Sequence, residues 1–124
     1  MNKDTVKQQA EFWLNYSQQL STAIRYVEAL AAAERAVALD NTSAEAWYVK
    51  GTCLAMLARY NDALNDFEHA LRLDAQYVPA WDGKAWVLGI SGQKAEALAA
   101  VDMALRLDPE YFEAQRRKKR LEAL

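Results

Sequence analysis

Apolar residues recur along this chain with two periods. Locally they stand three or four positions apart, as on one face of a helix. In the stretch 44–74, AEAWYVKGTCLAMLARYNDALNDFEHALRLD, that spacing predicts two amphipathic helices joined by a tight turn. Over a longer distance the pattern returns every 34 residues. Trp13, Trp47 and Trp81 coincide at that offset, as do Leu20, Leu54 and Leu88. So do Ala29, Ala63 and Ala97; Leu30, Leu64 and Leu98; and Ala36, Ala70 and Ala104. Small residues align at Ser17, Gly51 and Ala85, and the units close on Leu39-Asp40, Leu73-Asp74 and Leu107-Asp108. A gapless period of this size is the signature of a stacked helical array.

The local pattern sets the element ends. Asp4 reads as the N-cap of a first helix reaching about Thr22, with residues 1–3 fraying. A second helix follows over about Arg25–Leu39. Ser43 ends a short loop and can cap a helix over about Ala44–Leu57, whose partner spans about Tyr60–Leu73. The third pair covers about Val78–Ile90 and Lys94–Leu107, with Ser91-Gly92 as its turn and Pro79 in a first helical turn. Asp108-Pro109-Glu110 breaks the chain before a last helix over about Tyr111–Ala123. Small Gly51 and Ala63 would let the middle pair approach closely, with Trp47 and Phe67 facing each other across the wider gap.

At these positions the chain resembles the tetratricopeptide-repeat family. Each 34-residue unit of that family carries Trp, Leu-Gly, Tyr, Ala, Phe, Ala and Pro at set places. The middle unit matches best, with Trp47, Gly51, Tyr60, Ala63, Phe67 and Ala70. The third offers Trp81, Gly92, Ala97, Ala104 and Pro109; the first offers Trp13, Tyr26, Ala29 and Ala36. Departures are Tyr16, Lys50 and Lys84 for the usual Leu, Asn41 and Ala75 for Pro, and Ile24 for a common turn glycine. The resemblance implies an all-α, right-handed α-solenoid of three hairpins (about 10–43, 44–77 and 78–111). A capping helix at about 111–123 makes seven helices in a single domain.

It also implies a non-enzymatic protein-protein interaction module, an adaptor or scaffold. In the family the first helix of each hairpin lines a concave groove that holds peptides or partner helices. Carried over by repeat phase, the groove falls on Leu14, Gln18, Tyr48, Thr52, Met56, Asp82, Trp86 and Ile90. Tyr77 and Tyr111 stand at the unit junctions, and Arg116 and Arg120 would close one end. Family members that clasp the C-terminal carboxylate of heat-shock chaperones use Lys, Asn and Arg at five places. Those places hold Leu14, Gln18, Val49, Pro79 and Gly83 here, so that clamp is not expected. The apolar groove residues suit an apolar or amphipathic segment. Tyr48 and Trp86 lie off the core stripe and have two readings, ligand anchor or packing on a neighbouring unit.

Composition adds exclusions. The 124 residues fit one domain, able to bury roughly two-thirds of its unfolded surface. Hydrophobic residues make up 52%, yet no run reaches the length of a membrane helix. The start, MNKDTVKQQAEF, lacks the apolar core of a signal peptide. One cysteine permits no internal disulfide, in keeping with a cytoplasmic setting. Cys53 and His69 are the only thiol and imidazole, and helix geometry separates them by roughly 12 Å. They read as a small buried residue and a surface residue, too far apart for a nucleophile and its base. No zinc ligand set, phosphate loop or cofactor motif is present. The carboxylates read as spread along exposed faces.

Charge is uneven. Five of the fifteen basic residues form the run 116–120, and only one of the seventeen acids, Glu122, lies beyond residue 115. Residues 1–115 therefore hold ten bases and sixteen acids, a net charge of −6. Five successive helical residues point all round the axis, so the run reads first as a solubilising cap, next as a charge patch for a protein partner, and last as a nucleic-acid contact. Self-assembly is the alternative to the adaptor reading, with a second copy filling the groove or the last helix, where Phe112, Leu121 and Leu124 could supply the seam.

Overall fold

The computed structural model describes residues 2–124, which form seven α-helices and no strand. They are α1 (Lys3–Thr22), α2 (Tyr26–Leu39), α3 (Ala44–Met56), α4 (Tyr60–Leu73), α5 (Val78–Ile90), α6 (Lys94–Leu107) and α7 (Phe112–Glu122). The expected ends hold for α4, α5 and α6, and those of α2, α3 and α7 move by one residue. At α1 the cap differs. Asn2, not Asp4, accepts the Thr5 amide on its side-chain oxygen at 2.8 Å. That starts the helix inside the expected fray, and Met1 lies outside the described residues. Asp4 instead sits in the first turn, where its charge complements the helix dipole. Ser43 caps α3 as expected, through the Ala46 amide at 3.1 Å.

The same connections recur in each unit. The amides of Arg25, Arg59 and Gln93 bond back to the carbonyls of Leu20, Leu54 and Leu88, each at 2.9 Å. This closes a Schellman-type turn whose preceding residue must adopt a left-handed conformation. That residue is Ile24 at φ 60°, Ala58 at φ 61° and Gly92 at φ 80°. The first turn therefore forms in spite of its β-branched side chain. Between units, Asp40, Asp74 and Asp108 each accept the amide two residues on at 3.0–3.1 Å, which explains the repeated aspartate.

Each hairpin packs within itself, and each even helix packs on the next odd one. Odd helices also touch their odd neighbours (α1 on α3, α3 on α5, α5 on α7), whereas α2, α4 and α6 do not touch one another. The odd helices thus lie on the inner, shorter side of a curved array. The fold is an all-α helical solenoid. No described helix is long and apolar enough to cross a membrane.

Packing of the middle unit differs from the expected pairing. Phe67 is fully buried and lies between two glycines instead of facing Trp47. A Cβ on Gly51 or Gly83 would come within 2.9 or 2.8 Å of its ring. Trp47 instead stacks on His69 at 3.9 Å between centroids and donates its indole N–H to the Asn41 carbonyl at 2.9 Å. Trp81 repeats that bond with Ala75. His69 is accordingly half-buried, not a free surface residue. Its basicity is lowered by lost hydration and then by Arg72 and Lys50. Cys53 is buried as expected, with Sγ 3.6 Å from the Ser17 hydroxyl. Two carboxylates, Asp66 and Asp82, are buried, against the expectation that all lie on exposed faces.

Candidate partner-binding groove

The groove residues assigned by repeat phase fall on the inner layer of odd helices or at its junctions, but their accessibility separates them. Leu14 is 5% exposed and belongs to the core shared by the first two units. It offers nothing to a ligand, because α1 turns it inward. Asp82 is 7% exposed and its carboxylate is fully engaged. Arg117 reaches it from α7 in a two-pronged contact, Nε to Oδ1 at 2.7 Å and Nη2 to Oδ2 at 3.1 Å. Such a fork suits the planar guanidinium and removes the cost of an unpaired buried charge.

Tyr48, Thr52, Tyr77, Trp86 and Tyr111 are half-buried. Tyr48 packs on Phe67 at 5.8 Å and edge-on to Tyr77 at 5.7 Å, so it supports the wall as much as it lines the groove. Burial is the main cause that pushes the phenols of Tyr48, Tyr77 and Tyr111 above their usual range. Asp82 and Glu113 act in the same direction on Tyr48 and Tyr111, and Glu45 on Tyr77. All three therefore present neutral hydroxyls. The Thr52 hydroxyl is committed to the Tyr48 carbonyl at 3.0 Å.

Gln18, Met56, Ile90, Arg116 and Arg120 are exposed. Met56, Ile90 and Leu124 occupy the same repeat position, at the ends of α3 and α5 and just past the end of α7, and are 42%, 51% and 77% exposed. They form an apolar row along one edge of the inner layer. Where α5 meets α7 the row opens a pocket of about 260 Å³, walled by Ala85, Trp86, Gly89, Ile90, Leu121 and Leu124 and edged by Arg117 and Arg120. The Arg117 guanidinium also lies over the Trp86 ring, 5.9 Å from its centroid. Arg116 and Arg120 form no ion pair among the described residues, whereas Lys118 is tied to Asp102 on α6 at 2.9 Å.

Arg117 is the residue that sequence reasoning missed. In the sequence the basic run points all round its helix, and repeat phase puts only Arg116 and Arg120 at the groove. The 34-residue offset places Arg117 on Gly83 and Val49, both buried. That alignment is the signal by which it could have been found.

Comparison with known proteins agrees with this architecture. A family model described as "Tetratricopeptide repeat" matches residues 44–77, the middle unit. No curated protein matches the sequence. Among solved structures, the Arabidopsis OM64 TPR domain superposes with a TM-score of 0.90 at 19% identity, covering 95% of this chain and 98% of that one. The second TPR domain of human RPAP3, in complex with the HSP70 peptide SGPTIEEVD, gives 0.86 at 20% identity, covering 94% and 98%. YrrB, described as a TPR protein with an unusual peptide-binding site, gives 0.82 at 24% identity, covering 89% of this chain and 57% of that one. Residues 44–77 are a tetratricopeptide repeat, and the chain as a whole has the architecture of tetratricopeptide-repeat domains.

Proposed function

We propose that this chain is a non-enzymatic adaptor whose groove holds a peptide or partner helix with an apolar face. The observation that carries this reading is the Trp86–Ile90–Leu124 pocket, an accessible apolar hollow on the inner layer edged by Arg120, which forms no ion pair among the described residues, and by Arg117, which is held by Asp82. Apolar side chains anchor peptides in such hollows, and a few neighbouring polar groups set orientation. A large apolar side chain of the partner fills the pocket, Met56 extends the contact, and Arg116 and Arg120 favour an acid beside it. Ordering a flexible peptide opposes the gain from burial, so affinity is roughly micromolar.

The peptide-bound RPAP3 domain supports a peptide partner for this fold. It does not carry over its ligand. The five clamp places hold no cation here, and Leu14, Val49 and Gly83 among them are buried. The cations nearest the pocket stand on α7, outside those five places. A cytoplasmic location belongs to the same reading, since the single cysteine, the buried Cys53, permits no internal disulfide.

Selection from a random peptide library, run in parallel on the wild type and a Trp86→Ala/Ile90→Ser variant, tests this. Peptides pairing a bulky apolar residue with a nearby acid should be enriched on the wild type alone. Arg120→Glu should then weaken the best of them about tenfold. Enrichment that survives in the double variant would place binding elsewhere.

A further inference from the structure

The repeat phase exposes an anomaly at the other end of the molecule. On α3, α5 and α7 one face packs against the preceding unit. Its central positions are Ala46, Ala80 and Ala114, each fully buried, and Cys53, Val87 and Leu121, at most 4% exposed. The same positions on α1 are Phe12 and Gln19, with Tyr16 between them where later units carry lysine. No unit precedes α1 among the described residues, and Phe12 is 60% and Tyr16 42% exposed. Their rings stack on each other at 6.2 Å, and Phe12 also meets Trp13 edge-on at 5.3 Å. A face that serves as an inter-unit interface three times over is here both unpartnered and aromatic.

We propose that this α1 face is a self-association surface, on which a second copy of the chain docks face to face about a two-fold axis. Three observations select that occupant. An ordinary repeat cannot dock here in the usual register, since that close approach is made over alanine at three successive units and Phe12 is far too large for it. Interleaved aromatic rings from a like face meet the need instead, because a two-fold contact requires only that a patch match itself. The residues that share this face with Phe12 and Tyr16 are Thr5, Gln9, Gln19 and Ala23, so two copies meet without like-charge repulsion. Head-to-tail stacking is disfavoured by the far end, where the outer side of α7 presents exposed Gln115, Lys119 and Glu122. This surface is separate from the groove, so the dimer leaves the α5–α7 pocket open.

Sedimentation equilibrium of the wild type and of a Phe12→Ala/Tyr16→Lys variant decides the matter. The substitutions install the residues that later units carry at these positions, and both sites are exposed, so the variant keeps its fold; circular dichroism checks this. The wild-type mass should rise from 14.0 kDa towards twice that value as concentration increases from about 10 µM to about 1 mM. The variant should stay monomeric, and Leu124→Lys on the last helix should behave as wild type. A wild type that is monomeric throughout overturns the proposal. Dimers that persist in the α1 variant, or are lost with Leu124→Lys, overturn it in favour of the groove or last helix.

Discussion

The junction between the first and second units and the junction between the second and third solve one packing problem in opposite ways. Three equivalent positions meet at each. At the first they are Ser17, Ala33 and Val49; at the second, Gly51, Phe67 and Gly83. All six are buried. In the first the volume is shared, with its largest piece on the incoming odd helix. In the second one ring from the even helix fills the whole space, and both odd helices give up their side chains to it. The spacing of the array is therefore set by the summed volume at the junction, not by which helix supplies it.

Removing the ring is the strongest test of that comparison. Phe67→Ala should cost about 3–5 kcal/mol in denaturant unfolding, since two facing glycines cannot fill the cavity. Adding Gly83→Val to Phe67→Ala recreates the first junction's arrangement and should recover part of the loss. Gly83→Val alone must clash with the ring and should destabilise. If the double variant is no better than Phe67→Ala, the two junctions are not interchangeable.

A second difference is electrostatic. Asp66 lies at the middle unit's junction, at a position that is buried Ala32 in the first unit and buried Ala100 in the third. Its Oδ2 has no hydrogen bond, and Lys50 stands 3.7 Å away. Burial raises this carboxyl to about 6, with Asp62 and Glu34 adding to the effect and Lys50 opposing it. A folded-state value above the unfolded one means that stability is complete below about pH 4 and is lost as pH rises through about 6. Asp66→Asn should therefore raise stability by about 1–2 kcal/mol at pH 7 and flatten its fall between pH 4 and 6. Urea melts at pH 4, 6 and 8 measure this, and an unchanged pH slope would show that Lys50 already neutralises the cost.

The smallest effect lies at the hairpin turns. Ile24, Ala58 and Gly92 share a left-handed conformation that only glycine adopts without strain. Ile24 is 73% exposed, so Ile24→Gly forfeits little burial and should stabilise by about 1 kcal/mol. Ala58→Gly should give less. Equal gains at the two sites would mean that β-branching adds nothing to the strain.

How much of this was legible beforehand follows from which interactions are local. Helix ends come from caps, turns and apolar spacing within a few residues, and they were readable to within one residue at all but the first cap. That one failed because Asn2 and Asp4 are both good caps, and only the position of the Thr5 amide chooses between them. The groove was legible as a set of repeat positions but not as a set of accessible groups. Leu14 and Asp82 have the right phase, yet one is turned into the core and the other is taken by a residue 35 positions away.

The sequence by itself determined the hairpins, their period and their stacking, because a 34-residue repetition of short-range signals leaves one way to bury every stripe. Only the tertiary structure decided which of the three arginines in the basic run reaches the buried carboxylate of the groove. Ala114 and Leu121 bury one side of α7 and so fix its rotation, and that rotation brings Arg117 to Asp82. Likewise, Phe67 rather than Trp47 fills the middle junction, because space is shared among three helices and no single pair of positions records it.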